Sequence, residues 1–137
     1  MSDTEKDRMR SGRTAQYLAA AELTRRNYDA TLDEDRRTTR LNATSPKGAQ
    51  FTVSCRNKKS ADVSWVVEPF EEDRSLYFVL VLAELEQPYS APQYWTLKSA
   101  EMKKIVDAYM KRNPSAKSAN VSTSDVQRYA NWRQLPP

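Results

Sequence analysis

The chain has 137 residues, of which 39% are hydrophobic and 29% are charged, so it is long enough for one globular domain that buries about two-thirds of its unfolded surface. Its formal net charge of +4 favours anionic partners. The absence of histidine excludes Ser-His-Asp and Cys-His nucleophile systems and most zinc sites, and the single cysteine, Cys55, excludes an intramolecular disulfide.

The N-terminal sequence MSDTEKDRMRSGR is charged throughout and lacks the apolar stretch that a signal peptide needs. No run in the chain approaches the ~18 apolar residues of a membrane helix. Together with the unpaired cysteine, these features indicate a cytoplasmic protein that does not contact membranes. We expect a flexible N-terminus over residues 1–10 and a single domain over residues 11–137.

Residues 12–26 are predicted to form the first helix, because apolar side chains recur there at spacings of three and four. Arg25 and Arg26 suit the negative end of the helix dipole, and Asn27 tolerates the left-handed conformation that ends helices. The alternation of Tyr28, Ala30 and Leu32 with polar residues then predicts a short strand.

Residues 38–58 are predicted to form a β-hairpin, because apolar and polar residues alternate on both sides of a turn. In that turn Pro46 suits the second position and Gly48 the fourth. The face expected to be buried consists of Thr39, Leu41, Ala43, Phe51, Val53 and Cys55. The opposite face carries Arg40, Ser54 and Arg56.

The rest of the chain predicts an α/β (α+β) fold with a central mixed sheet of four to five strands, flanked by helices in the order helix, strands, helix, short helix. Ser99 is the expected N-cap of the second helix, and Tyr129 and Trp132 are expected to dock the C-terminus on the body. Residues 63–67 are predicted to form another strand or an extended segment, 68–74 an acidic loop, 76–82 a central strand and 94–97 a strand at or near an edge. A helix is predicted over 100–112, a loop over 114–121 and a helix start at 122–125.

Four stretches in this order carry a resemblance to a known family: GRTAQYLAAAELTRRNY, TRLNATSPKGAQFTVSCRNK, LYFVLVLAEL followed by YWTLKSAEM, and YANWRQL. They resemble the first helix, the catalytic hairpin, the later core strands and the C-terminal segment of the PD-(D/E)XK nuclease superfamily, which has the restriction-endonuclease-like fold. The similarity is greatest to small Holliday-junction-resolvase-like members. It covers residues 12–135 and implies a restriction-endonuclease-like domain.

The functional positions implied by this resemblance differ from the family pattern in every case. The first-helix Glu falls on Gln16, the metal-binding Asp on Arg40, the following Glu or Gln on Ser54, and the catalytic Lys on Arg56. Mg²⁺ prefers charged oxygen ligands, whereas this set offers neutral oxygens and two permanent positive charges. We therefore expect a pseudoenzyme with no catalytic residue, no metal and no cofactor at this site.

Three hypotheses about function follow. In the first, the protein binds nucleic-acid phosphates through a basic cleft formed by Arg36, Arg37, Arg40, Arg56, Lys58 and Lys59. In the second, it is a protein-interaction subunit or inhibitor, for example a phage or mobile-element anti-defence protein, and forms a homodimer; the candidate contact residues are Tyr89, Tyr94, Trp95 and Trp132. In the third, it is an active nuclease whose displaced metal ligands come from Glu22, Asp33, Glu34, Asp35 and Glu68.

Overall fold

The computed structural model describes residues 3–35, 38–87 and 89–137. It is a mixed structure of helices and strands, as the sequence predicted. In chain order the elements are α1 (Asp3–Arg25), β1 (Asp29–Leu32), β2 (Arg40–Thr44), β3 (Gln50–Lys58), β4 (Trp65–Val67), β5 (Leu76–Leu82), β6 (Gln93–Lys98), α2 (Ser99–Arg112), β7 (Ala119–Val121) and a 3₁₀ helix (Ser124–Tyr129).

The main sheet has five strands in the order β1-β2-β3-β5-β6, which confirms the predicted central mixed sheet. β3 and β5 are parallel neighbours, and the other neighbouring strands are antiparallel. The predicted hairpin turn between β2 and β3 is present, with Gly48 N donating to Ser45 O at 2.9 Å. Gly48 has φ +93°, a conformation that residues with a Cβ rarely adopt. A separate two-stranded sheet pairs β4 with β7.

Each face of the main sheet packs against a different layer. On one face, Ala15, Ala19 and Leu23 of α1 form a core with the apolar side of the β2–β3 hairpin. On the other face, α2 and the small β4–β7 sheet form a second core with β5 and β6. The run LYFVLVL of β5 contributes alternate residues to both cores, which explains why it is continuously apolar.

The C-terminal segment docks on the body as predicted. The rings of Trp132 and Tyr94 lie 5.4 Å apart, and the Arg26 guanidinium lies 4.5 Å from the Trp132 ring centroid. Leu135 is buried, and the Tyr28 hydroxyl donates to the Pro136 carbonyl oxygen. Aromatic and cation–π contacts are favourable, so these residues hold the C-terminal segment against α1 and the edge strand β6.

Three predicted boundaries were wrong. α1 begins at Asp3 rather than at residue 12, because the polar N-terminal sequence continues the helix without a core to mark it. β7 lies inside the predicted loop 114–121, since a three-residue strand is too short to show an alternating pattern. Lys98, not Ser99, is the N-cap of α2, because the Ser99 hydroxyl instead donates to Asp73 O and accepts from Asp73 N.

Candidate functional site

The polar face of the β2–β3 hairpin brings three of the sequence-selected residues together. Arg40 and Ser54 are paired across the two strands, and Arg56 lies two residues further along the same face of β3. Ser54 is buried and Arg40 is exposed. Gln16 lies on α1, against the other face, and its side-chain amide donates to Arg40 O at 3.0 Å. The side-chain amide of Gln16 is therefore already hydrogen-bonded to the backbone of β2.

Carboxylates from the acidic loop lie beside these arginines. Arg56 Nη2 is 3.6 Å from Glu68 Oε2, and Arg56 Nε is buried with no hydrogen-bond partner among the described residues. The pKa of Asp73 lies below its ordinary value, chiefly because Ser75 donates two hydrogen bonds to it and additionally because Arg40 is positively charged. The hairpin face is therefore partly neutralised by the protein itself.

The side chain of Lys58 makes its contacts inside the fold. It is 3% exposed, and its Nζ donates to Thr123 Oγ1 at 2.6 Å and lies 4.2 Å from the Trp65 ring centroid. Burial lowers the pKa of Lys58, which the charge of Asp62 partly opposes. Lys59 is exposed and lines a cleft, whereas Arg36 and Arg37 lie outside the described residues.

The carboxylates considered as displaced metal ligands are spread over different parts of the molecule. Glu22 forms ion pairs with Arg25 and Arg26 on α1, and Asp33 accepts a hydrogen bond from the backbone of Asp35 in its own loop. Glu68 pairs with an arginine of β3. Within residues 3–35, 38–87 and 89–137, no group of three or more His, Cys, Asp or Glu side chains is arranged to hold a metal ion.

The aromatic residues considered as protein contacts have different surroundings. Trp95 is 4% exposed and its ring lies 5.1 Å from that of Trp65. Tyr94 and Trp132 are half-buried against each other. Tyr89 is fully exposed. Of the four, Tyr89 alone presents its whole ring to solvent.

The exposed side of α1 carries three cations and a tyrosine that the sequence analysis missed. Lys6, Arg10, Arg13 and Tyr17 are spaced by four, three and four residues, which places them within about 60° of each other around the helix axis. We call these four residues the basic row. Lys6 and Arg10 are exposed, Arg13 is half-buried, and Tyr17 is 60% exposed. The 4-3-4 spacing was visible in the sequence, but residues 1–10 were predicted to be flexible.

Positive charge is concentrated in residues 6–13 of α1, and the carboxylates Asp3 and Glu5 precede this stretch. Residues 6–13 contain four cations and one carboxylate, Asp7. The side chain of Asp7 is 3.3 Å from Arg10 Nη2, and both partners are more than half exposed. An ion pair this exposed contributes about 0–1 kcal/mol, so the pair exchanges readily for another anion.

A cleft of about 540 Å³ separates the first half of α1 from the carboxyl ends of the parallel strands β3 and β5. Asn57 forms its floor, donating to Ser11 Oγ at 3.0 Å and accepting from Ala83 N at 2.9 Å. Four cations and three carboxylates line the cleft. The cations are Arg8, Arg10, Lys58 and Lys59, and the carboxylates are Asp7, Glu84 and Glu86. The cleft is thus close to electrically balanced, whereas Lys6 and Arg13 of the basic row lie outside it.

No family model, curated protein or solved structure matches this chain. The resemblance to the PD-(D/E)XK superfamily therefore rests on the sequence stretches alone and stays a prediction. Across the described segments, no helix is both long enough and apolar enough to cross a membrane.

Proposed function

We propose that the protein binds nucleic-acid phosphates through the basic row of α1 and does not cleave them. The observation that carries the proposal is the alignment of Lys6, Arg10 and Arg13 on one accessible face of a helix. Guanidinium and ammonium groups grip phosphate oxygens through charge-assisted hydrogen bonds, which are stronger than neutral ones. The net charge of +4 supports an anionic ligand of this kind.

The spacing along the helix suits successive phosphates. At 1.5 Å per residue, Lys6 and Arg10 are about 6 Å apart along the axis, and Arg10 and Arg13 about 4.5 Å apart. Long flexible side chains bridge the remaining differences, so the row contacts about three neighbouring phosphates of one strand. Contacts of this type fix position without reading the base sequence.

Two of the sequence-selected cations add to this surface. Lys59 is exposed and shares the cleft with Arg10, so a strand held on the basic row passes close to it. Arg40 is exposed on the hairpin face, but its charge acts on the nearby carboxylate of Asp73. We therefore assign Arg40 a smaller contribution than the basic row.

The absence of cleavage follows from the groups at the hairpin. Gln16, Ser54 and the two arginines supply no carboxylate, and two unit charges ~4 Å apart repel by ~4 kcal/mol at an effective dielectric near 20. A divalent cation beside Arg40 and Arg56 experiences a larger repulsion. The proposed activity is accordingly binding without cleavage.

Fluorescence anisotropy with a labelled oligonucleotide tests the proposal. The variant carrying Lys6→Glu, Arg10→Glu and Arg13→Glu is expected to lose more than about 100-fold in affinity. The matched control reverses three exposed charges on α2, with Lys104→Glu, Lys111→Glu and Arg112→Glu. Equal losses in the two variants, or no binding by the natural chain, would overturn the proposal.

A further inference from the structure

Tyr17 is the one member of the basic row that carries no charge. Five of the seven tyrosines of the chain have a ring or hydroxyl partner: Tyr28, Tyr77, Tyr94, Tyr109 and Tyr129. Tyr17 is 60% exposed, and no described residue forms a ring contact or a hydrogen bond with it. Tyr17 therefore contributes little to the core, although it lies on a well-packed helix.

The residues around Tyr17 leave space for a flat ligand. Ala20 and Ala21 lie one turn further along the same side of α1, and neither rises far above the helix surface. Arg13 lies one turn before Tyr17, about 6 Å away along the axis. A phosphate held by Arg13 thus places the base of an adjoining nucleotide within reach of the Tyr17 ring.

We infer that the basic row binds single-stranded nucleic acid, with an unpaired base stacked on Tyr17. This inference rests on the proposed function and adds the class of ligand. In a duplex both faces of each base are stacked on neighbours, so a protein ring has no base face to contact without opening the helix. In a single strand every base has an accessible face, so an aromatic residue beside cations binds any sequence. The stacking is shared by DNA and RNA.

The test measures anisotropy with four probes that have the same length. These are a mixed-sequence single-stranded DNA of about 12 nucleotides, the RNA of that sequence, its DNA duplex, and an abasic strand with the same phosphates. The single strands of both kinds are expected to bind at least about fivefold more tightly than the duplex and the abasic strand. RNA binding alone, or DNA binding alone, would contradict stacking as the shared basis of recognition.

Substitutions at Tyr17 isolate the ring. Tyr17→Ala is expected to weaken single-strand binding by about 5- to 150-fold, and Tyr17→Phe to preserve it, because stacking needs the ring and not the hydroxyl. Tyr89→Ala removes a second exposed tyrosine, which lies outside the basic row, and serves as the control. Circular dichroism melting checks that each variant folds. We expect all of them to fold, because both substituted rings are exposed.

The outcomes separate the inference from the proposed function. If duplex, abasic and single strands bind equally and Tyr17→Ala has no effect, while reversal of Lys6, Arg10 and Arg13 abolishes binding, then the inference is wrong and phosphate binding stands. If none of the four probes binds, both are wrong. Selective loss of single-strand binding in Tyr17→Ala, with the phenylalanine variant intact, supports the inference.

Discussion

Arg40 lies directly opposite Ser54 across the β2–β3 ladder, and both are on the face of the sheet that α1 does not cover. In the superfamily that the sequence resembles, the corresponding positions are expected to hold a metal-binding Asp and a Glu or Gln. Here a cation faces a hydroxyl, and Glu68 from the acidic loop pairs with the neighbouring Arg56. The two arginines oppose the binding of a divalent cation at this face, and Glu68 partly neutralises them.

Metal ions are expected to have no specific effect. Neither Mg²⁺ nor Mn²⁺ should raise the melting temperature or produce cleavage of DNA or RNA, because the described carboxylates form no cluster around a common point. Thermal melting with each ion and gel analysis of the substrates provide the measurement. A metal-dependent rise in melting temperature that disappears in Glu68→Ala or Asp35→Ala would favour an active nuclease with displaced ligands.

The hairpin arginines are expected to contribute less to binding than the basic row does. Arg40→Glu combined with Arg56→Glu should weaken oligonucleotide binding by less than about tenfold, because Glu68 and Asp73 already compensate these charges. Anisotropy titrations at one salt concentration compare this variant with the reversal of the basic row. A larger loss of affinity in the hairpin variant would place the binding site on the β2–β3 face and not on the basic row.

Gly12 is expected to be required for the close packing of α1 on Thr39, the residue before β2. A Cβ at Gly12 would lie 2.8 Å from the Thr39 Cγ2 atom, which is closer than such atoms approach. Gly12→Ala should therefore lower the free energy of unfolding by about 1 kcal/mol, despite the better helix propensity of alanine. Urea denaturation gives the value.

Thr39→Ser supplies the control for Gly12, because it removes the Cγ2 methyl group and keeps the hydroxyl. In that background Gly12→Ala should instead raise the unfolding free energy by up to about 1 kcal/mol, the helix propensity gain. If Gly12→Ala is destabilising to the same extent in both backgrounds, the contact with Thr39 is not the cause.

The burial of Lys58 is expected to make the free energy of unfolding depend on pH. Burial lowers its pKa in the folded protein, so at alkaline pH the unfolded chain binds more protons at this position than the folded chain. The unfolding free energy of the natural protein should consequently rise, relative to that of Lys58→Met, as pH increases towards the ordinary lysine value of about 10.4. Urea denaturation of both proteins between about pH 7 and pH 10 measures the difference. A difference that stays constant or falls with pH contradicts the assignment.

The sequence predicted those parts of the fold that depend on local pattern. The alternation in β2 and β3, the turn at Gly48 and the apolar run of β5 all specify their own conformation, and the structure confirms each of them. Two of the three wrong boundaries depend on distant partners. β7 is a strand because β4 pairs with it, and Ser99 is drawn away from its cap position by Asp73.

The candidate site was harder to predict for the same reason. Lys58 lies on the same face of β3 as Arg56, but only the packing of Trp65 and Thr123 around it determines that its ammonium group is enclosed. The approach of Glu68 to Arg56 likewise depends on how the acidic loop crosses the sheet. The basic row, by contrast, needed only the extension of a helical pattern to Lys6.

The salt dependence of binding tests the central claim most directly. For the natural protein and a single-stranded oligonucleotide, the logarithm of the association constant should fall linearly with the logarithm of salt concentration. Removing the charges of Lys6, Arg10 and Arg13 with alanine should make that slope shallower by about 2 to 3 units, which corresponds to three lost phosphate contacts, whereas the alanine control at Lys104, Lys111 and Arg112 should keep it. An unchanged slope in the basic-row variant would contradict phosphate binding by α1.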